Sequence, residues 1–307
     1  MTLYRPRGTL ARVIHAKFHN DNSLENIDTT KWYSLAHELP PRFQSKFVPL
    51  EPDATTVSWL ERAKALSANI WTHLWHALAR SILQFFMTQT DINGFLKRGS
   101  MFILSEAQFH KLLVAGGFSP NPGPEPVTML DIGAGDGEIS LRVANTVSEL
   151  SGTSGLRVLA TEASWTMRER LKKLNFNVIT EIGGLQNVEL ILCLNVLDRC
   201  FDSFRLLEEI HDALAPNGRA VVALVLPYMH YVETNTSHLP LRPLLENCNN
   251  GRQSSFEEEA ARFLELLENC GFRVESWTKA PYLCEGDLHQ SFYWLIDLLV
   301  VISKKTF

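Results

Sequence analysis

A glycine-rich turn between residues 127 and 138 carries the clearest chemical pattern in this sequence. It reads Val-Thr-Met-Leu-Asp-Ile-Gly-Ala-Gly-Asp-Gly-Glu, so a short apolar run ends at Asp131 and glycines follow at alternate positions. The pattern predicts a strand, a tight turn and a helix that begins near Glu138. Gly133, Gly135 and Gly137 permit close approach of a ligand to the backbone, and the helix N-terminus offers free N–H groups. Such a turn is typical of a site for a nucleotide-like cofactor.

The spacing of the glycines and the acids beside them indicate which cofactor this is. The dinucleotide fingerprint G-x-G-x-x-G places its third glycine one residue later than Gly137. Asp131, Asp136 and Glu138 would repel a pyrophosphate but suit a ligand with a cationic centre and free hydroxyls. S-adenosylmethionine carries a sulfonium and an ammonium group, so the turn favours this cofactor. A strand-to-helix turn with no ligand is the alternative.

Two further strand ends carry polar residues that point to binding. Glu162 ends the next predicted strand, where an acid would accept the ribose hydroxyls of an adenosine. Asn195 and Asp198 follow a buried-type apolar run, and Asp198 would accept a hydrogen bond from a substrate N–H. Asp198 has two structural alternatives, which are capping the helix near Ser203 and pairing with Arg199.

Aromatic residues and histidines are the remaining candidates. Tyr282 and Tyr293 lie in or after the predicted loop between the last two strands, and a phenol can stack on a flat ring and donate a hydrogen bond. Packing at a sheet end is the ordinary explanation for such tyrosines. His230, His238 and His289 are interpreted as solvated loop residues. His73 and His76 are three apart on a predicted helix with no third ligand nearby, so no metal site is predicted.

Alternating strands and helices after residue 126 predict an α/β fold. Strands are expected at 157–161, 177–180, 188–195, 219–226, 272–277 and 292–302, and helices at 164–174, 204–214 and 256–270. The short link 278–291 has no helical periodicity, so the last two strands form an antiparallel pair on an otherwise parallel sheet.

The proline-rich linker 119–126 divides the chain into residues 1–118 and 119–307. The first part is predicted to be a tail and a mainly helical extension that packs on the second. Residues 20–60 look irregular, and a helix is expected from 56 to about 90. The basic first twenty residues suggest a disordered tail, with organellar targeting as the alternative.

Composition limits the class of protein. The chain has 307 residues with 45% apolar and 21% charged residues, as in ordinary globular proteins. A net charge of −5 provides no basic surface for nucleic acid. Five cysteines without a C-x-x-C pair indicate a reducing compartment, so a cytoplasmic location is expected, with mitochondria or another organelle as the alternative. No apolar run is long enough to span a membrane, and a monomer is favoured.

Several motifs together resemble the DREV family. They are residues 130–138 (Leu-Asp-Ile-Gly-Ala-Gly-Asp-Gly-Glu), 160–162 (Ala-Thr-Glu), 194–200 (Leu-Asn-Val-Leu-Asp-Arg-Cys), 223–228 (Ala-Leu-Val-Leu-Pro-Tyr), 281–287 (Pro-Tyr-Leu-Cys-Glu-Gly-Asp) and 95–102 (Phe-Leu-Lys-Arg-Gly-Ser-Met-Phe). The resemblance implies a seven-stranded, Rossmann-like class I S-adenosylmethionine-dependent methyltransferase with an N-terminal helical extension.

The resemblance also implies a reaction and a set of site residues. The reaction is methylation of protein histidine at the pros (π, Nδ1) nitrogen within His-x-His sequences that have a small middle residue. The cofactor would be held by Asp131, Gly133, Gly135, Glu162 and Asn195. The substrate histidine would be held by Asp198, Tyr282 and Tyr293. The chain departs from the family pattern at residues 201–203 and 229–230.

The chemistry of imidazole fits this assignment. Neutral imidazole has one N–H and one lone-pair nitrogen, so an aspartate that accepts the N–H selects the nitrogen to be methylated. Asp198 would also stabilise the positive charge that develops on the ring. Two alternatives are methylation of a small imidazole or other nitrogen compound, and a cofactor-binding scaffold without turnover. Asp131 and Asn195 are both present, which disfavours the scaffold.

Overall fold

A central sheet of eight strands organises the computed structural model, which describes residues 8–69, 100–120, 125–152, 155–232, 237–246 and 254–305. The strands are β1 (Met101–Phe102), β2 (Val127–Ile132), β3 (Leu156–Thr161), β4 (Asn177–Val178), β5 (Val188–Leu194), β6 (Leu214–Leu226), β7 (Phe272–Glu285) and β8 (Phe292–Lys304).

The strands lie in the order β1-β7-β8-β6-β5-β2-β3-β4. β4, β3, β2, β5 and β6 run parallel, whereas β8 pairs antiparallel with both β6 and β7. The chain leaves β2 through β3 and β4 on one side and then returns to β5 on the other side. The carboxyl ends of β2 and β5 therefore flank the topological switch point, where open α/β sheets bind their ligands.

The predicted α/β fold and the antiparallel last pair are confirmed, but the sheet has one strand more than expected. β1 pairs with β7, with Met101 opposite Cys284 and Phe102 opposite Leu283. Two residues are too few to show the alternating pattern of a strand in the sequence. β1 forms because the edge of β7 offers unpaired backbone groups to it.

The described helices cover both faces of the sheet. They are α1 (Thr9–Leu24), α2 (Pro41–Gln44), α3 (Ala54–Ser67), α4 (Glu106–Ala115), α5 (Glu138–Ser151), α6 (Trp165–Lys173), α7 (Ser203–Ala213) and α8 (Phe256–Asn269). Ser105 and Ser255 begin α4 and α8 with complete capping boxes, which satisfy free backbone N–H groups at the first turn. One apolar cluster contains α7 and α8 residues, and the opposite cluster contains α4 and α5 residues.

The N-terminal residues are more regular than the sequence indicates. A helix, α1, stands where a disordered basic tail was expected, and α2 lies within the stretch interpreted as irregular. Local pattern failed here because tertiary contacts stabilise α1, including those of its buried Lys17 and Leu24. The helix expected from residue 56 begins at Ala54 with Asp53 as its cap. Its predicted remainder, with His73 and His76, lies outside the described residues.

The predicted end of β7 at residue 277 is wrong. β7 continues to Glu285 and pairs with β8 along its whole length, so the turn comprises only residues 286–291. Pro281 lacks an N–H and disfavours a strand locally, but pairing with β8 outweighs that preference. Tyr282 consequently lies within a strand and not in a loop.

Candidate functional site

The end of β2 supplies a buried carboxylate. Asp131 is 3% exposed, and the Ser140 hydroxyl on α5 donates to its Oδ2 at 2.5 Å. Burial raises the pKa of Asp131 to about 7, the Ser140 hydrogen bond opposes that rise, and the negative charge of Glu162 adds to it. A cationic ligand beside Asp131 would lower this pKa and favour the charged carboxylate.

The glycine turn forms a narrow cradle between β2 and α5. Gly133 has φ +71°, and a Cβ there would lie 2.7 Å from Cγ2 of Val196, which follows β5. The Gly135 N–H donates to Oε2 of Glu162 at 2.9 Å. The other Glu162 oxygen accepts the Ser164 N–H at 2.8 Å, so this carboxylate links the turn to the end of β3. Asp131, Gly133, Gly135 and Glu162 thus lie together, as the sequence predicts.

Asn195 occupies the first position after β5. Its φ of +57° is in the left-handed region, which asparagine adopts more readily than most residues. Its Nδ2 donates to Oδ2 of Asp297 on β8 at 2.9 Å, and both side chains are buried. The Asn195 Oδ1 has no hydrogen-bond partner among the described residues.

Asp198 follows in the same segment and is 8% exposed. Burial raises its pKa, and the Arg199 guanidinium, whose Nε lies 3.9 Å from Oδ2, opposes the rise. The helix-cap alternative is excluded, because Asp202 caps α7 through the Arg205 N–H at 3.1 Å. The other alternative, pairing with Arg199, is present as this 3.9 Å contact, and Asp198 is a buried carboxylate near the switch point.

Tyr282 lies beside these acids on β7. It is 8% exposed, and its hydroxyl donates to the Met101 sulfur on β1. Burial raises the pKa of Tyr282, as do the charges of Cys284, Asp297 and Asp198, while Arg199 lowers it. The phenol therefore stays neutral and keeps the proton that it donates to Met101.

Tyr293 is set apart from this group. Directly opposite Cys284, at the start of β8, it has a side chain that is 37% exposed. Its hydroxyl donates to Oδ1 of Asp287 at 2.9 Å. Tyr293 is four residues before Asp297, a separation of about 13 Å along a strand. Even so, alternation places Tyr293 and Asp297 on the same face of β8.

Three oxygens in this region are buried and have no hydrogen-bond partner among the described residues. They belong to Asn195 (Oδ1), Asp198 (Oδ1) and Asp297 (Oδ1). Buried acceptors without donors are costly, and they mark sites where a ligand or water supplies the missing donor. Carboxylate and amide oxygens in such a group select a ligand that carries N–H groups or positive charge.

Asp297 is the residue that sequence reasoning missed. Burial raises its pKa to about 8, the hydrogen bond from Asn195 lowers it, and the charge of Asp198 raises it further. Its only sequence signal is an acid within the otherwise apolar run of β8. Ser140 and Met101, which contact Asp131 and Tyr282, were also missed as site residues, although Met101 belongs to the family-like motif at residues 95–102.

The loop histidines lie outside this group of contacts. The Nδ1 of His238 lies 2.8 Å from the Val232 carbonyl oxygen, and its ring stacks on Tyr231 at 4.4 Å between centroids. The His230 ring lies 6.0 Å from the Tyr228 ring.

Within the described ranges no three His, Cys, Asp or Glu residues are arranged to hold a metal ion. No helix in those ranges is long and apolar enough to cross a membrane.

The site suits S-adenosylmethionine on three structural grounds. Gly133 lets the turn pass close to the end of β5, because any Cβ there would overlap Val196. Asp131 and Glu162 line the turn with carboxyl groups, and a sulfonium or ammonium group beside Asp131 would favour its charged form. The free Asn195 Oδ1 provides an acceptor at the adjoining strand end. Strand order, glycine turn and acids together define an S-adenosylmethionine-dependent methyltransferase.

The family is established by sequence comparison. A family model described as DREV methyltransferase matches residues 32–304. This match includes most of the chain, and the protein belongs to the DREV methyltransferase family. The predicted family and cofactor are thereby confirmed.

Solved structures of other methyltransferases also align with this chain. One is a TehB-like S-adenosylmethionine-dependent methyltransferase from Corynebacterium glutamicum, with 21% identity, a TM-score of 0.36 and coverage of 65% of this chain and 96% of that one. Another is a putative RNA methyltransferase from Pyrococcus horikoshii, with 12% identity, a TM-score of 0.41 and coverage of 66% and 83%. At these scores no property of either protein transfers to this chain.

Proposed function

We propose that this methyltransferase modifies protein histidine at the pros nitrogen within His-x-His sequences that have a small middle residue. The observation that carries the proposal is the group of three buried oxygens without donors, on Asn195, Asp198 and Asp297. The family resemblance described above indicates the substrate, and an imidazole N–H is a donor that the Asp198 oxygen can accept.

The cofactor would be held around the glycine turn and the adjoining strand ends. Gly133 and Gly135 would let the backbone approach it closely, Asp131 and Glu162 would face its positive charge and hydroxyls, and Asn195 would offer its free Oδ1. When bound, S-adenosylmethionine supplies an electrophilic methyl group. The Asp297 contact would hold the Asn195 amide in one orientation, with Nδ2 toward β8 and Oδ1 toward the ligand.

Asp198 would select the nitrogen that reacts. Its unpartnered Oδ1 accepts the N–H on the tele nitrogen, which leaves the lone pair of the pros nitrogen directed at the methyl group. As the ring becomes cationic, the carboxylate stabilises the new charge. Burial raises the pKa of Asp198, which makes it a better base for the proton that the methylated ring then releases.

The two tyrosines would hold the substrate at different depths. Tyr282, buried beside Asp198 and Asp297, would form a wall for the reacting ring. Tyr293 is half-exposed on the same face of β8 as Asp297, so it would contact the peptide nearer the surface. Its hydroxyl is bonded to Asp287, which would leave the ring for this contact.

The test is methylation of a Gly-His-Ala-His-Gly peptide, followed by mass spectrometry and by hydrolysis with comparison to 1-methylhistidine and 3-methylhistidine standards. We expect 1-methylhistidine from the wild type. For Asp198→Asn we expect a loss of at least about 100-fold in turnover, as for removal of a charge-stabilising group, with cofactor affinity within a few-fold by calorimetry. Asp212→Asn, whose side chain is 86% exposed, is the matched control and should behave like the wild type.

Two results would overturn the proposal. Wild-type turnover by Asp198→Asn would remove Asp198 from the reaction. Methylation of free histidine dipeptides but not of the peptide would make the protein a methyltransferase of small imidazole compounds.

A further inference from the structure

A buried lysine on α1 connects the N-terminal helix to the turn between β7 and β8. Lys17 is 6% exposed, and its ammonium group donates to the Ser67 hydroxyl on α3. It also lies 3.4 Å from the Asp287 carbonyl oxygen and 3.2 Å from Oδ2 of Asp21. A buried ammonium group is tolerated only with such partners. Lys17 thus ties the turn to two helices.

Two neighbours of Lys17 make further bonds to the same turn. Oδ1 of Asp21 accepts the Ser291 N–H at 2.8 Å. The Asn20 side-chain amide donates to the His289 carbonyl oxygen at 3.0 Å. Lys17, Asn20 and Asp21 lie on one face of α1, and each contacts a main-chain atom of this six-residue turn.

This turn is hydrogen-bonded to Tyr293 of β8. Oδ1 of Asp287 accepts both the Tyr293 hydroxyl at 2.9 Å and the His289 N–H at 2.8 Å. The main chain of Asp287 faces Lys17 while its side chain faces Tyr293. A displacement of the turn would therefore move the Tyr293 ring, since one residue bonds to both.

We propose that α1 positions Tyr293 for the substrate through Lys17, Asp21 and the turn at residues 286–291. This inference rests on the proposed function, in which Tyr293 contacts the peptide. α1 lies before residues 32–304, the region that the DREV family model matches, so these contacts come from outside the matched region. Lys17 and Asp21 are positioning residues, because they act through Asp287.

The first measurement does not depend on activity. Hydrogen exchange is followed by mass spectrometry in Lys17→Met and in Lys31→Met, a control whose side chain is 78% exposed. We expect faster exchange in the peptide that contains residues 286–293 for Lys17→Met and not for Lys31→Met, because the turn loses one of its three contacts to α1. Asp21→Ala, which removes the acceptor of the Ser291 N–H, should give the same result and serves if Lys17→Met does not fold.

The second measurement is a double-mutant cycle with Tyr293→Phe, using the His-x-His peptide. We expect Lys17→Met to raise the KM for the peptide about tenfold while kcat and cofactor affinity change little. In the Tyr293→Phe background, the same substitution should change KM less than about twofold, because the residue being positioned has lost its bond to Asp287.

Each failure has its own meaning. Unchanged exchange at residues 286–293 overturns the inference, as does an equal effect of Lys17→Met on KM in both backgrounds. If the wild type does not methylate the peptide, the proposed function fails, and the exchange measurement alone decides whether α1 holds the turn.

Discussion

Asp297 shows how a single buried carboxyl can shape a site from a distant strand. It lies 102 residues after Asn195 in the chain, yet the two side chains are hydrogen-bonded in the interior. One of its oxygens has no partner among the described residues, and its pKa is raised to about 8 by burial. Near neutral pH Asp297 is thus largely protonated, and it can donate a hydrogen bond as well as accept one.

The raised pKa predicts a pH-dependent stability. Between the unfolded value of 3.8 and about 8, the folded state holds a proton that the unfolded state has lost. The contribution of Asp297 to stability is therefore complete below pH 4 and is lost as the pH rises towards 8. Asp297→Asn removes this titration and keeps an oxygen to accept the Asn195 amide.

We expect Asp297→Asn to gain stability relative to the wild type as the pH rises from 5 to 8. The gain should exceed about 1.4 kcal/mol, which corresponds to one pKa unit. Denaturant unfolding at both pH values measures it, with Asp212→Asn as the exposed control. A difference between wild type and variant that is the same at both pH values would contradict the assignment of the titration to Asp297.

Two aspartates in the segment between β5 and α7, Asp198 and Asp202, have different roles. Asp202 begins α7 by accepting the Arg205 N–H, while the Asp198 side chain is buried at the switch point. Two carboxylates four residues apart thus have different partners, because α7 begins directly after Asp202 whereas Asp198 lies earlier in the segment that follows β5. This difference can be tested by substituting each one.

We expect Asp202→Ala to lower the free energy of unfolding by about 0.5–2 kcal/mol, the usual cost of losing an N-cap. Methylation at a temperature where the variant is folded should stay within a few-fold of wild type. Thermal melts and the peptide assay, run beside Asp212→Ala at the other end of α7, measure both effects. Loss of turnover without loss of stability would mean that Asp202, rather than Asp198, serves the substrate.

At the scale of the whole molecule, residues from before the glycine turn belong to the same core as the sheet. Phe43 of α2 is fully buried in the cluster that contains α7 and α8, and its carbonyl oxygen accepts the Trp277 indole N–H at 2.8 Å. Trp32 and Trp59 lie in the opposite cluster. We therefore propose that the extension and the methyltransferase domain unfold as one unit.

We expect Phe43→Ala to lower the free energy of unfolding by about 3–5 kcal/mol, as for a fully buried phenylalanine. Calorimetry should show a single transition at a lower temperature. Leu66→Ala, which shortens a side chain that is 54% exposed, should have little effect. Two separate transitions, with only the first moved by Phe43→Ala, would show that the extension unfolds independently.

Local sequence pattern was sufficient for the cofactor and for most elements of the sheet. The glycine turn, its acids and the buried-type run of β5 are features of consecutive residues, and spacing alone determines how such residues fold. The same local logic failed at residues 278–285 and at α1, where pairing with β8 and packing against α3 outweigh propensity.

The sequence by itself therefore determined that this chain is a methyltransferase of the DREV family that binds S-adenosylmethionine. Only the tertiary structure decided which distant side chains meet at the site. Asp297 reaches Asn195, Tyr282 lies beside Asp198, and Lys17 of α1 faces the turn before Tyr293. The physical reason is that these contacts depend on strand order and register, which arise from burial across the whole sheet rather than from the spacing of neighbouring residues.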